Sequence, residues 1–239
     1  RGCMQTRQAA PGLLRRLLGE ALDFLLPPRC VGCGDDGHLL CQACRASLST
    51  LTPPCCPGCA QPVPRLGLCS SCLAAPLAID GIRAPYAMEG VAREMVHRLK
   101  YSNLRALAPV MGELLAKYLA ANSIGADVVV PVPLHPRRER ERGYNQALLL
   151  GREVSRWTGT PLDTSGLVRV KNSPPQARSG DKAERRANVE GAFRCRSSFG
   201  GLRVLLVDDV CTTGATLEAG AVALREAGAI AVLGTTFAR

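Results

Sequence analysis

A chain of 239 residues, 46% hydrophobic and 21% charged, has the material for a well-cored folded protein and excludes an intrinsically disordered one. Its formal charge of +10 and pI near 9.3 favour phosphate-bearing partners, whether small metabolites or nucleic acid, while an aromatic content of 4% argues against extended base-stacking platforms. No apolar run approaches the ~20 residues of a membrane span and no cleavable signal pattern opens the sequence, so a cytoplasmic location is expected.

Residues 1–11 have no periodicity and read as a tail. Residues 13–26 carry leucines at helical spacing, interleaved with Arg15, Arg16, Glu20 and Asp23, and Pro27-Pro28 stops this amphipathic helix. Two acids offset its two arginines, which favours docking on protein over lying on a membrane.

Ten of the twelve cysteines fall within residues 1–72, which argues for two domains after the tail: a cysteine-rich domain over 27–75 and a larger one over 80–239. The order is Cys30-x-x-Cys33, Cys41-x-x-Cys44, Cys56-x-x-Cys59, Cys69-x-x-Cys72. Each pair offers two thiolates from one tight knuckle, and two knuckles complete a tetrahedral site for Zn²⁺, so eight ligands make two structural zinc sites. Sequential pairing is the simplest arrangement, and a cross-braced one has the same spacing. Cys55 and His38 lie close enough to compete as ligands. In a reducing compartment this spacing means metal rather than disulfides.

Residues 73–80 form the joint. A strand is expected at 82–88, helices at 91–100 and 107–121, and a fully apolar strand at 128–130 running into Pro131-Val132-Pro133-Leu134-His135. Residues 136–142 carry four arginines, ending at Arg142, and read either as a solvated helix face or as part of a ligand site. A helix follows at 147–157 and a strand at 167–170. Residues 171–188 are Pro-rich, polar and basic, with Lys171, Arg178, Lys182, Arg185 and Arg186, as a lid over an anion would be. A short hairpin is expected at 193–199.

Val204 to Val207 then form an apolar strand of the kind buried on both faces in a parallel sheet, ended by Asp208 and Asp209. Thr212-Thr213-Gly214-Ala215-Thr216 supplies hydroxyls and a glycine before an Ala-rich helix at 217–226, followed by Gly228 and a last strand at 230–237. Carboxylates at a sheet's carboxyl edge can hold sugar hydroxyls, and a hydroxyl-rich loop at a helix start cradles an anion. Together they describe a ribose-phosphate site. No Gly-Lys-Ser/Thr follows, which excludes a P-loop.

These residues resemble the phosphoribosyl-pyrophosphate motif of the type I phosphoribosyltransferases. The resemblance implies that Asp208 and Asp209 take the ribose and that Thr212, Thr213, Gly214, Ala215 and Thr216 take the 5′-phosphate, with Cys211 a spectator. It also implies that the loop through Val132 and Pro133 meets the pyrophosphate with Mg²⁺, helped by Arg142, Arg178 and Arg185. The implied fold is α/β: a type I phosphoribosyltransferase-like parallel sheet flanked by helices, preceded by a small zinc-ribbon domain.

With the ribbon in front, the chain from about residue 20 onward resembles the ComF family. The supporting residues are Pro27-Pro28-Arg29-Cys30, Lys100-Tyr101, residues 131–134, Arg142-Gly143-x-Asn145-Gln146, Gln176, Arg185-x-x-Asn188-Val189-x-Gly191-x-Phe193 and the acid-pair motif. That resemblance implies an accessory of DNA uptake in natural transformation, working near single-stranded DNA and a helicase-like partner docked through the ribbon. Three readings stay open at the site: binding of phosphoribosyl pyrophosphate in DNA uptake, active nucleobase phosphoribosyl transfer, and a non-catalytic module for single-stranded DNA or nucleotides.

Overall fold

The computed structural model describes residues 27–74, 77–171 and 191–239. The expected helix at 13–26 and the basic segment with Gln176, Arg178 and Arg185 lie outside these residues. Two compact units divide between Ala46 and Ser47.

Among its described residues the first unit carries the knuckles Cys30–Cys33 and Cys41–Cys44 and the short helix α1 (Gln42–Ala46). The second begins with the other two knuckles, the last of them leading into α2 (Ser70–Ala74). Strand β1 (Gly81–Arg83) follows, then helices α3 (Gly90–Tyr101) and α4 (Leu107–Ala121) and strand β2 (Val128–Pro131). Next come α5 (Pro136–Arg142), α6 (Gln146–Thr158), β3 (Leu167–Arg169), β4 (Phe193–Cys195), β5 (Arg203–Val210), α7 (Ala215–Glu226) and β6 (Ala231–Ala238).

Four strands form one parallel sheet in the order β1-β6-β5-β2, flanked by helices, as the apolar runs lead one to expect. β5 lies between β2 and β6, in register Val204 opposite Val128 and Val232. Its residues Val204 to Val207 are all buried, which is why they carry no polar side chain. The strand continues beyond its apolar part: it runs through the acid pair to Val210 instead of ending at Asp208.

Two expectations change. The strand expected over 82–88 stops at Arg83, because Pro85 lacks a ladder donor, and Tyr86 makes only isolated bridges to Thr50 and Ala238. Residues 193–199 do not fold into a hairpin of their own. Residues 193–195 pair antiparallel with β3, outside the main sheet. Short apolar runs do not announce their partners.

Helices α4 and α6 touch at Gly112, where an added Cβ would come within 2.2 Å of Glu153 Cβ. This contact carries α6 to its place beside the sheet, and with it Asn145 at the helix start. Gly112→Ala should lower stability by about 1–2 kcal/mol in urea unfolding, since overpacking outweighs the helix-propensity gain of ~1 kcal/mol.

Candidate functional site

The carboxyl ends of β2 and β5 open onto a cleft of about 570 Å³. β-strand alternation sends neighbouring side chains to opposite faces, so the two acids play different parts. Asp208 lies on the face of Leu206, toward α7, and its Oδ1 accepts from the Asp209 backbone N–H (2.8 Å). Asp209 lies on the face of Leu205 and Val207, with its side chain 5% exposed, and its Oδ2 meets Lys100 Nζ at 2.7 Å. Burial, then the charge of Asp209, push the Asp208 carboxyl up to about 8, against the opposing pull of Lys100. Burial alone would lower the Lys100 pKa, but the Asp209 charge and hydrogen bond raise it. The cleft floor therefore holds one ion pair and one proton-retaining acid.

The loop after β2 is fastened on both sides. Val132 N–H donates to Val207 O (2.8 Å), and Asn145 Nδ2 donates to Val132 O (3.0 Å). The Asn145 Oδ1 meanwhile caps α6, accepting from Ala147 N–H (3.0 Å) and Leu148 N–H (3.4 Å). Val132's own backbone groups thus hold the loop in place. His135 caps α5 through Nδ1, accepting from Arg137 N–H (3.2 Å).

Arg142, expected from the sequence, lines the cleft, and its guanidinium lies 5.6 Å from the Tyr101 ring centroid. Lys100, Arg138 and Arg169 join it there, cations whose place the sequence did not reveal. Burial and the nearby Arg142 lower the Arg138 pKa, and burial and Arg138 lower that of Arg169. Cations crowded in this way mark a positive field suited to a polyanion.

Beyond the acids, residues 211–217 enclose a small hollow of about 30 Å³ next to Asp208. Gly214 there has φ +80° and starts α7, and Thr213 Oγ1 accepts from Ala215 N–H (3.4 Å). Only a residue free of Cβ fits, since a Cβ would also approach Ile82 Cδ1 to 3.0 Å. Asp208, Asp209 and Thr216 thus share the cleft with Val132 and Arg142, whereas Pro133 is not part of its lining and Arg178 and Arg185 lie outside the described residues.

The cysteines gather as Cys30, Cys33, Cys41 and Cys44 and as Cys56, Cys59, Cys69 and Cys72, with the sulfurs of each set within 4.8 Å of one another. Sequential pairing is therefore the observed one, and neither Cys55 nor His38 belongs to a cluster among the described residues. The Cys33–Cys41 and Cys59–Cys69 sulfurs are each 3.7 Å apart, close to the roughly 3.8 Å edge that four Zn–S bonds of ~2.3 Å require. Backbone N–H groups point at the sulfurs, Cys41 at Cys30 (3.4 Å) and Cys69 at Cys56 (3.3 Å). Although burial opposes it, these and neighbouring N–H groups bring the Cys30 and Cys56 thiols down to about 6. Both sets fit structural zinc.

The double zinc ribbon domain family matches residues 21–73. The DNA utilization protein YhgH of Salmonella typhimurium is 30% identical over 205 residues, covering 81% of this chain and 87% of that one. The chain belongs to the ComF family. Competence protein ComFC of Bacillus subtilis is 30% identical over 200 residues, 79% of either chain, and competence protein F of Haemophilus influenzae is 35% identical over 144 residues, 56% of this chain and 62% of that one. Among solved structures, the chain is similar to the glutamine phosphoribosylpyrophosphate amidotransferase of B. subtilis (TM-score 0.36, 22% identity), covering 54% of this chain and a quarter (25%) of that one. A purine phosphoribosyltransferase from Pyrococcus horikoshii is similar at TM-score 0.33 and 18% identity, over 52% and 68% of the two chains. Among the described residues no helix is long and apolar enough to cross a membrane.

The acid pair carries a pH signature. The folded chain retains a proton on Asp208 between about pH 4 and 8 that the unfolded chain has released, so this group makes stability fall as pH rises through that window. A carboxyl-carbon NMR titration of Asp208 should give a midpoint near 8, moved down in Asp209→Asn and up in Lys100→Met.

The zinc clusters differ in consequence, since only the second lies in the unit that contains the sheet. Metal analysis should find two zinc ions per chain. Cys56→Ser/Cys59→Ser should lower the melting temperature of that unit by roughly 10 °C or more, and Cys30→Ser/Cys33→Ser by no more than about 2 °C.

Proposed function

We propose that the cleft binds phosphoribosyl pyrophosphate or a related ribose phosphate, and that the protein serves DNA uptake in natural transformation. The observation that carries the first part is the convergence in one cleft of Asp208, Asp209 and Thr216 with Lys100, Arg138, Arg142 and Arg169. A volume of about 570 Å³ suits a small phosphorylated metabolite. In this reading Asp208 accepts hydrogen bonds from ribose hydroxyls, the loop at 212–216 donates backbone and hydroxyl hydrogens to the 5′-phosphate, and the arginines face the pyrophosphate. Asp209 acts one step back, fixing the Lys100 ammonium at the cleft floor. Mg²⁺ carried by the pyrophosphate would neutralise its charge and favour departure of that group. Arg178 and Arg185 are the further cations this reading assigns to the pyrophosphate.

The DNA-uptake part rests on the names of the relatives, competence proteins and DNA utilization proteins. In this reading the protein works in the cytoplasm, with the ribbon as the surface for a helicase-like partner or single-stranded DNA. Nucleobase transfer is the second reading, and Tyr101 favours it. This ring is 68% exposed, lines the cleft, and offers a face on which a base can stack.

Calorimetry with Mg²⁺ and phosphoribosyl pyrophosphate tests the proposal. Wild type should bind, and Asp208→Asn/Asp209→Asn should weaken binding roughly a hundredfold. Pyrophosphate release on adding one particular nucleobase would establish transfer, binding without release would leave a binding module, and absence of binding by wild type would overturn the assignment.

A further inference from the structure

The second cysteine cluster is built into the strand ends beside the phosphate loop. Gly58 O accepts from Ile82 N–H (3.1 Å) and Pro57 O accepts from Arg83 Nη1 (2.7 Å), so the 56–59 knuckle is bonded to β1. On the neighbouring strand, Arg239 follows β6 with its backbone fixed: its N–H donates to Tyr86 O (2.9 Å), and its C=O accepts from Met88 N–H (2.7 Å). Its side chain then divides between two places. Nη2 donates to Cys59 Sγ (3.6 Å), while Nη1 donates to Cys211 Sγ (3.0 Å) and Thr212 O (3.4 Å). Cys211 N–H is held in turn by Ala238 O (3.0 Å). One guanidinium therefore touches a zinc-ligand sulfur and the first residues of the hydroxyl-rich loop.

We propose that Arg239 is a positioning residue that couples the zinc site of Cys56, Cys59, Cys69 and Cys72 to the loop at 211–216, so that metal retention and ribose-phosphate binding reinforce each other. The physical ground is charge. Four thiolates around one dication leave a net negative centre, and a guanidinium is the donor best matched to it. With its Nη2 engaged there, Nη1 is held in the one direction that fastens Cys211 and Thr212. Released from the sulfur, the side chain regains rotamers and the loop loses its brace. Linkage requires the converse: a ligand that orders the loop holds Arg239 against Cys59 and favours metal retention. The inference rests on reading 212–216 as the phosphate loop, and its test separates the two ideas.

The full chain, zinc-loaded, is compared with Arg239→Gln and Arg239→Lys in three measurements: zinc release to a chromogenic chelator with and without phosphoribosyl pyrophosphate, calorimetric affinity for that ligand, and amide hydrogen exchange at residues 211–216. In wild type the ligand should slow release of one of the two zinc equivalents severalfold. In Arg239→Gln that protection should vanish, affinity should fall roughly tenfold, and loop exchange should quicken, with Arg239→Lys recovering part of each. If wild type binds no phosphoribosyl pyrophosphate, yet Arg239→Gln still speeds both loop exchange and release of one zinc, the coupling stands and the ligand assignment falls. Loop exchange and zinc release in Arg239→Gln indistinguishable from wild type would overturn the coupling, whatever the ligand does.

Discussion

The contact between Lys100 and Asp209 is the constraint around which the cleft is arranged. A carboxylate on the inner face of a central strand has no water to solvate it, and leaving it unpaired would cost several kcal/mol. The partner must come from a helix end that reaches over the strand. Helix α3 supplies it: Met95, Val96 and Leu99 are buried on one side, and Lys100 follows in the last turn. The Tyr144 hydroxyl donates to Leu99 O, tying the same turn to the start of α6. Tyr101 is then left facing the cleft, against Arg142 at the end of α5. One buried charge thereby fixes where three helix ends converge.

That convergence shapes the chemistry. Asp208 escapes the ion pair, and burial, with a like charge beside it, makes it retain a proton near neutrality. Burial and a neighbouring cation lower the proton affinity of Arg138 and of Arg169, so the cleft is short of anions until one arrives. A site with a hydrogen-bonding carboxyl at its floor and cations at its wall suits a molecule with hydroxyls at one end and phosphates at the other.

Much of this was legible in the sequence, for identifiable reasons. The β5 strand, its acids and the threonine-glycine turn announce themselves because an apolar run, a carboxylate pair and a helix start fall consecutively. The zinc clusters were legible because a tetrahedral metal dictates ligand spacing, although only the sulfur positions choose sequential pairing over cross-bracing. The role of Lys100 was not legible, since its partner lies on the far side of the sequence and nothing local distinguishes a buried lysine at a helix end from a solvated one. Arg138 and Arg169 were hidden in the same way. The β3–β4 pair was misread because each strand has three residues, too few for an alternation to show.

The double zinc ribbon is one recognisable stretch, residues 21–73, yet the boundary between compact units falls inside it, after Ala46. As something inherited it is a single module; as something mechanical it is two. Its first half belongs to a compact unit that ends at Ala46. Its second half is bonded to β1 through Gly58 and Pro57 and can diverge only together with the strands beneath it. Within one repeated motif, the two metal sites should therefore record different histories, the later one drifting at the pace of the sheet rather than of its twin.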